Sequence, residues 1–241
     1  MRSSYLDEVK AILTRVEQTE QPVMNEASSL IADAIQSHHL IHLFGCGHSH
    51  LLTEELFYRS GGLAAIRPIL IEELMLHKGA ARSSQLERQN DFAHTFMQDQ
   101  DIRKGDICIV ISTSGVNPVP IDVALLAKEK GAFVIGLTSP SYATSRPSRH
   151  KDGFYLHEVV DLVLNNHVPK GDALLHEQNI AFGSGSTVVG ATILNQIVSQ
   201  AISQIIQSGS TPPVFLSGNI EGADEHNQKL IAAYKDRIPM L

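Results

Sequence analysis

The sequence is poor in several features, and each shortage excludes a class of protein. Only two cysteines occur among 241 residues, Cys46 and Cys108, so a disulfide framework is not expected and a reducing cytoplasm fits. No uninterrupted apolar stretch is long enough to span a bilayer. Residues 1–18 contain early acidic residues and no apolar core, which is not the pattern of a signal peptide.

Positive charge is the second shortage. Lys and Arg number 19 against 26 Asp and Glu, which gives a formal net charge of -7 at pH 7. This balance argues against non-specific binding of nucleic acid or of an anionic membrane, and no DNA-binding motif is attached. An anionic ligand would therefore have to be attracted by local groups. Hydrophobic residues make up 43% of the chain, enough for a sizeable core in one large α/β domain with an appendage or in two small domains.

Two common active-site motifs are missing or incomplete. The chain has no G-x-S-x-G turn, which argues against an α/β-hydrolase. Residues 45–50 (GCGHSH) begin like a dinucleotide-binding turn, but His50 stands where the third glycine is needed. Glu72 lies downstream as a possible ribose-binding acid, so a nicotinamide enzyme stays an alternative. His50 and Glu54 share a helical face, so a metal site that includes them stays an alternative, although we predict no metal.

The chain does contain a strand–loop–helix–strand unit over residues 104–140. Residues 106–111 (DICIVI) are rich in β-branched side chains, as expected of a strand buried on both faces. A hydroxyl-rich loop follows at residues 112–117, and two prolines suit the first turn of a helix that ends at Gly131. Residues 132–137 form the next strand. Such a unit predicts parallel strands.

The loop at residues 112–117 (STSGVN) carries the chemistry of this unit. Hydroxyl groups and free backbone N–H groups meet at a helix N-terminus and at the carboxyl end of a strand, a place that binds phosphate above all other anions. Gly115 allows a tight turn, and Asn117 is the expected N-cap. No Lys or Arg stands in the loop, so dipoles and hydroxyls would hold the anion. A capped turn that binds nothing is the alternative for any single loop of this kind.

Two further loops of small and hydroxyl-bearing residues open helices. Residues 45–49 follow a predicted strand at 40–44 and lead into a helix at 51–59. Residues 184–187 open a long apolar helix that spans about 188–207. Because ligands of such sheets lie beyond the carboxyl ends of the strands, we expect the three loops to converge on one ligand.

Strands alternate with helices along the whole chain. The other predicted elements are helices near residues 5–16 and 23–35, a strand at 64–71 that Pro68 places at an edge, a polar helix at 83–101, a strand at 159–164, an irregular segment at 165–179 and a tail helix at 225–234. This order predicts an α/β fold with a three-layer, doubly wound, mainly parallel five-stranded sheet of the flavodoxin-like type and N-terminal helices.

These motifs together resemble the SIS (sugar isomerase) domain, a phosphosugar-binding fold. FGCGHS resembles its first-strand turn G-x-G-x-S, IVISTSGVN its S-x-S-G-x-[TSN] loop, and GSGSTVVGATILNQ its late helix opened by Ser and Thr. The stretches span residues 40–207, and the chain resembles stand-alone members near the phosphoheptose isomerases. The resemblance implies a SIS domain at 38–214, after an N-terminal helical extension at 1–37. A tail at 215–241 would pack on that domain or on a neighbouring subunit.

The resemblance also implies that residues of all three loops bind a sugar phosphate. The second loop would hold the phosphate, and the first and third loops would contact the phosphate or the sugar. The implied contacts are Gly47, Ser49, Ser112, Thr113, Ser114, Gly115, Asn117, Ser186 and Thr187.

Aldose–ketose isomerisation needs a base that moves a proton between adjacent carbons and a group that moves one between the oxygens. A Glu and a His suffice, so no cofactor is expected. Either Glu54 or Glu55 aligns loosely with the Glu of phosphoheptose isomerases, whose helix is about one turn longer. The family's His on the late helix has no counterpart here, so His226, or less so His176, would have to replace it. The alternative for each of these side chains is that it is a solvated polar group on the protein surface with no part in catalysis.

The sequence therefore predicts a cytoplasmic sugar-phosphate isomerase. Two alternatives use the same loops: a non-catalytic phosphosugar sensor that reports to a partner, and a lyase or etherase that acts on an amino-sugar phosphate. The family further implies a homodimer or homotetramer, since its sites often borrow residues across a subunit interface.

Overall fold

A five-stranded parallel sheet forms the centre of the fold. The structure is a computed structural model that describes residues 4–241. The strands are β1 (Ile41–Gly45), β2 (Ile66–Ile69), β3 (Ile107–Ile111), β4 (Phe133–Thr138) and β5 (Leu162–Asn165). They lie in the order β2-β1-β3-β4-β5, and every neighbouring pair is parallel. The predicted flavodoxin-like α/β class is confirmed.

Helices cover both faces of this sheet. They are α1 (Tyr5–Thr19), α2 (Gln21–Gln36), α3 (His50–Leu56), α4 (Ala80–Leu86), α5 (His94–Met97), α6 (Pro118–Glu129), α7 (Leu156–Val159), α8 (Ser186–Gln207) and α9 (Ala223–Tyr234). The first three helices and α8 bury their apolar sides in one core on one face, and α5, α6 and α7 contribute to a second core on the other. The sheet therefore separates two apolar layers, as the three-layer class requires.

The strand sequences explain the places of the strands in the sheet. Every residue of β1 and β3 is buried, which agrees with their continuous apolar runs. Strand β2 lies at the edge, where Pro68 pairs with Leu43 of β1. A proline is tolerated there because one side of an edge strand makes no ladder hydrogen bonds.

Helix α8 is the one helix of residues 4–241 that is long and apolar enough to cross a membrane. It packs along α2 instead, and Ile193, Leu194 and Ile197 are buried in the core. Its apolar residues are therefore explained by packing inside the fold.

The N-terminal helices pack against the same core as the sheet. Val9, Ile12 and Val16 of α1 are buried within the chain, and the Tyr5 hydroxyl donates to the carbonyl oxygen of Ser184 at 2.7 Å. Residues 1–3 of the predicted N-terminal extension lie outside the described residues. The predicted boundaries after residues 37 and 214 stay predictions.

Two stretches differ from the sequence-based prediction. The segment at 165–179, predicted to be irregular, contains β6 (Leu175–Glu177), which pairs antiparallel with β7 (Ile180–Phe182). The predicted helix at 83–101 is two short helices, α4 and α5, because Asp91 adopts a left-handed conformation between them with φ of 65°.

A buried polar network closes the amino end of the sheet. Asp106 is fully buried and accepts hydrogen bonds from the Leu40 N–H at 2.9 Å and from Nη2 of Arg237 at 2.7 Å. Nε2 of His42 lies 3.0 Å from the same carboxylate. Burial alone would raise the pKa of Asp106, but these hydrogen bonds outweigh it and hold the pKa well below its usual value.

We expect His42 to make folding pH-dependent. Burial lowers the pKa of His42 despite its hydrogen bond to Asp106, so the ring stays neutral in the folded chain. An unfolded histidine takes up a proton below about pH 6.5. The free energy of unfolding should therefore fall as the pH drops below that value, by at most about 1.4 kcal/mol per pH unit. Urea unfolding at pH 7.5 and 5.5 measures this loss, which should be smaller in His42→Gln; an equal loss in both proteins would contradict the assignment.

Candidate functional site

Three loops meet at one small cavity beyond the carboxyl ends of the strands. The first follows β1, the second follows β3 and the third opens α8. The cavity is lined by His48, Ser49, Leu52, Thr113, Ser186 and Thr187. Four of these residues belong to the set predicted to bind a ligand: Ser49, Thr113, Ser186 and Thr187. The parallel topology thus places the first two loops at one edge of the sheet, and α8 begins at the same cavity.

The first loop is a tight turn that requires glycine. A Cβ on Gly45 would lie 2.6 Å from the carbonyl carbon and oxygen of Ser49. Gly47 turns the chain in the left-handed region with φ of 55° and starts a short 3-10 turn. Nδ1 of His50 donates to the Gly47 carbonyl oxygen, which directs His50 into the protein and leaves His48 exposed. The close return of the chain on Gly45 places Ser49 at the cavity.

The second loop turns sharply between β3 and α6. Oγ of Ser112 accepts a hydrogen bond from the Gly115 N–H at 3.3 Å, and Gly115 has φ of 61°. Asn117 is the N-cap residue of α6, as predicted, but its side chain does not cap the helix. Instead, Nη1 of Arg149 donates to Oδ1 of Asn117 at 2.7 Å. The side chain of Asn117 is therefore held by a neighbouring loop.

This second loop presents unused donors. Some of its backbone N–H groups donate to no acceptor within residues 4–241, namely those of Thr113, Ser114, Val116 and Asn117. The half-buried hydroxyl of Ser114 has no partner in the same range. Several donors at the start of a helix are suited to an anion such as phosphate.

Residues that the sequence analysis missed fix Thr113 at the cavity. Nδ2 of the buried Asn166, just after β5, donates to Oγ1 of Thr113 at 3.1 Å. The backbone N–H of Ser139, just after β4, donates to the Thr113 carbonyl oxygen at 2.9 Å. Strands β4 and β5 thus support the loop, and only the position of Asn166 after a strand could have indicated this role.

Asp172 holds the third loop, and the sequence analysis missed it as well. Its Oδ1 accepts the N–H groups of Gly185 and Ser186 at 2.9 and 2.8 Å, and its Oδ2 accepts the Ser186 hydroxyl at 2.7 Å. The carboxylate thereby caps α8 from thirteen or more residues upstream. A cap this distant in sequence gives no local pattern.

Arg149 and Glu87 flank the second loop near Asn117. The Arg149 N–H donates to the Val116 carbonyl oxygen at 2.9 Å, so backbone and side chain both bind this loop. Burial and the neighbouring charges of Arg146 and Arg88 lower the pKa of Arg149. Arg146 and Arg149 belong to a polar, basic segment after β4, and Arg88 follows α4.

Glu87 lies on the other side of Asn117. Burial raises the pKa of the Glu87 carboxyl, while a hydrogen bond with Asn117 and the charges of Arg88 and Arg149 oppose that rise. Asn117 thus connects a carboxyl group to a guanidinium group at the second loop.

The predicted catalytic carboxylates do not line the cavity. Glu54 is exposed on α3 and has no side-chain partner within residues 4–241. Glu55 is half-buried, forms an ion pair with Arg59, and accepts a hydrogen bond from Nδ2 of Asn195 at 3.1 Å. Asn195 lies about 13 Å along α8 from Ser186 at the rise of an α-helix. Glu55 is therefore held beside α8 at a distance from the three loops.

The predicted histidines also lie away from the cavity. Nε2 of His226 donates to the Val214 carbonyl oxygen at 2.9 Å. Val214 bridges Leu63, which precedes β2, so His226 lies toward the amino end of the sheet. His176 is exposed on β6. Within one chain neither ring lines the cavity, so their predicted role would need a neighbouring subunit.

The residues singled out for a metal or a dinucleotide make other contacts. Among residues 4–241, no group of three or more His, Cys, Asp or Glu side chains is arranged to hold a metal ion. His50 is engaged with Gly47, and Glu72 pairs with Lys78 at 2.8 Å.

Comparison with known proteins agrees with this geometry. A family model described as the SIS domain matches residues 4–139. A UPF0309 protein of Halalkalibacterium halodurans is 57% identical over 243 aligned residues, which cover 100% of this chain and 97% of that protein. The similarity to that relative extends over all three loops.

Solved structures share the fold at low sequence identity. A phosphoheptose isomerase from Francisella tularensis has a TM-score of 0.52 and 14% identity, covering 83% of this chain and 95% of that chain. A Methanococcus jannaschii protein, whose structure was described as inferring 3-hexulose-6-phosphate isomerase function, has a TM-score of 0.50 and 16% identity, covering 83% of this chain and 90% of that chain. At these identities the likeness shows the fold alone.

Proposed function

The chain belongs to the SIS domain family, and from this premise we propose that it binds a sugar phosphate and interconverts its aldose and ketose forms. The observation that carries the proposal is the convergence of three hydroxyl-bearing loops on one cavity. Each loop alone is a common turn, but a shared ligand accounts for hydroxyls from all three loops at the same place.

The phosphate is assigned to the second loop. Its free N–H groups, the hydroxyl of Ser114 and the N-terminus of α6 provide donors, and Arg149 adds a positive charge beside them. In a chain with a net charge of -7, this local arrangement supplies the attraction that the overall charge does not.

The isomerase chemistry is assigned to Glu55 and to a histidine. Glu55 is the better base candidate because Asn195 and Arg59 fix its carboxylate, whereas Glu54 is unrestrained. The phosphoheptose isomerase and the inferred 3-hexulose-6-phosphate isomerase that share the fold are consistent with this reaction class. Neither Glu55 nor His226 lines the cavity of its own chain. We therefore propose a cytoplasmic homo-oligomer in which these side chains reach the cavity of a neighbouring subunit.

A non-catalytic phosphosugar sensor is the second candidate. The positions of the candidate acid–base side chains favour it, because Glu54, Glu55 and His226 do not line the cavity within one chain. Such a protein would bind with the same loops and release its ligand unchanged.

A thermal-shift screen tests binding. Aldose, ketose and amino-sugar phosphates are compared with inorganic phosphate and nicotinamide nucleotides. A ligand at about 100 times its dissociation constant adds about 2.7 kcal/mol of stability, which at about 2–4 °C per kcal/mol raises Tm by roughly 5–11 °C for a chain of this size. We expect one sugar phosphate to exceed inorganic phosphate; a shift with nicotinamide nucleotides alone would refute the proposal.

Proton NMR of the same mixture then separates the two candidate functions. Conversion of the bound sugar phosphate to its ketose or aldose isomer supports the enzyme. Binding without any conversion supports the sensor, and release of a lactyl or other substituent would support a lyase or etherase instead.

A further inference from the structure

We propose that Asp172 gives the cavity a negative end and so makes the site selective for sugar monophosphates whose other end is neutral or positively charged. Ligands with a second anionic group at that end, such as phosphorylated aldonic acids, would be rejected. The inference rests on the proposed binding of a sugar phosphate and adds the substrate class and its orientation.

The first step concerns the N-terminus of α8. This helix end would ordinarily be a place for an anion, but the Asp172 carboxylate already accepts the N–H groups of Gly185 and Ser186. Within residues 4–241, no basic side chain pairs with this carboxylate. The helix end is therefore occupied by a negative charge, and a phosphate placed there would meet repulsion.

The second step concerns the hydroxyl of Ser186, which lines the cavity. A serine hydroxyl has one proton to donate, and that of Ser186 goes to Oδ2 of Asp172 at 2.7 Å. Only its lone pairs remain for a ligand. Ser186 can therefore accept a hydrogen bond from a sugar hydroxyl or an ammonium group but cannot donate one to a phosphate oxygen.

The third step concerns the opposite side of the cavity. There the second loop offers free N–H donors, and Asn117 contacts both the Arg149 guanidinium and the Glu87 carboxyl, whose pKa is raised by burial. Thr113 of that loop and Ser186 line the same cavity. The two sides thus differ in both charge and hydrogen-bonding capacity, which fixes the phosphate at the α6 side and the donor-bearing end of the sugar at the α8 side.

Matched ligand pairs test this selectivity. Glucose 6-phosphate is compared with 6-phosphogluconate, and ribose 5-phosphate with 5-phosphoribonate, because each pair differs mainly in a carboxylate at the end opposite the phosphate. Glucosamine 6-phosphate adds a positively charged member. Calorimetry at low ionic strength measures the affinity for each ligand. In whichever pair binds, we expect the neutral sugar phosphate to bind about tenfold or more tightly than the corresponding acid.

Asp172→Asn then tests the residue. Its amide oxygen can still accept the two N–H groups, so the loop should fold, but the charge is gone and Ser186 regains its proton for the ligand. We expect the preference for the neutral member to shrink about tenfold, chiefly through tighter binding of the acid. Asp33→Asn removes a negative charge on the exposed surface of α2, away from the third loop, and should leave the ratio unchanged.

The outcomes separate this inference from the proposed function. If no sugar phosphate binds the wild-type protein, the proposed function falls and this inference with it. If the neutral sugar phosphates bind and their acids bind as well, the inference alone is wrong. An unchanged ratio in Asp172→Asn would likewise remove Asp172 from selectivity, and the wild-type ratio decides the matter should that variant fail to fold.

Discussion

Replacing Glu55 with glutamine is expected to lower the turnover of the sugar phosphate about 10²–10⁴-fold, the usual contribution of a general base. Glutamine keeps the size of the side chain and can still accept the hydrogen bond from Asn195, so the position of α3 should not change. The dissociation constant should stay nearly the same because the phosphate is bound by the second loop. Steady-state rates and calorimetry on the same preparation measure both quantities.

Glu54→Gln is the matched control. Glu54 is the adjacent residue, with the same chemistry, but it is exposed and unrestrained, so its replacement should leave turnover within about twofold. Full turnover in Glu55→Gln would remove that residue from the mechanism. Loss of turnover in Glu54→Gln alone would transfer the role to Glu54.

Mixing two inactive variants tests whether the site is shared between subunits. Ser114→Glu places a carboxylate in the phosphate loop and should abolish binding by its own subunit. If Glu55 acts on the ligand of a neighbouring subunit, refolded mixtures of this variant with Glu55→Gln should regain about a quarter of the activity for a dimer. No recovery would mean that Glu55, if it acts, acts within its own chain.

Most of the sheet could be predicted because its strands are buried on both faces. Continuous apolar runs at 106–111 and 132–137 indicate β3 and β4, and the parallel pairing follows from the helix between them. The edge place of β2 was readable from Pro68. Short exposed elements gave no such pattern, and β6 and β7 were missed because three-residue strands have too few positions to show alternation.

Some parts of the candidate site could be predicted from the sequence, and others could not. Loops that begin helices could be found from their hydroxyls and glycines, and topology then brings them together. The residues that support them could not be found in this way, because Asn166 and Asp172 act on loops far away in sequence. Arg149 was visible only as one basic residue in a polar segment. Support from distant residues depends on the tertiary fold, which local patterns do not encode.

Replacing Asp106 with asparagine is expected to reduce the free energy of unfolding by about 3–5 kcal/mol, as for the loss of one partner of a buried ion pair. The carboxylate is completely buried and accepts hydrogen bonds from His42, Arg237 and backbone N–H groups. An amide supplies two hydrogens where only acceptors are needed, and it would leave Arg237 without its buried countercharge. Urea unfolding at pH 7 measures the loss. It is roughly a third of the free energy of unfolding of an ordinary protein, which is about 5–15 kcal/mol.

The control for this prediction is Asp101→Asn. Asp101 also pairs with Arg237, at 3.2 Å, but it is partly exposed, so its replacement should cost less than about 1 kcal/mol. A loss of that small size in Asp106→Asn would contradict the importance of the buried network. Adding Arg237→Met to Asp106→Asn should recover part of the stability, since the part-buried guanidinium that has lost its buried partner is then removed. Because this network lies at the amino end of the sheet and the three loops lie at the carboxyl end, the folded fraction of each variant should bind the sugar phosphate with unchanged affinity. Stability and ligand binding in this chain would then be separable by mutation, with one end of the sheet holding the fold together and the other end available for the ligand.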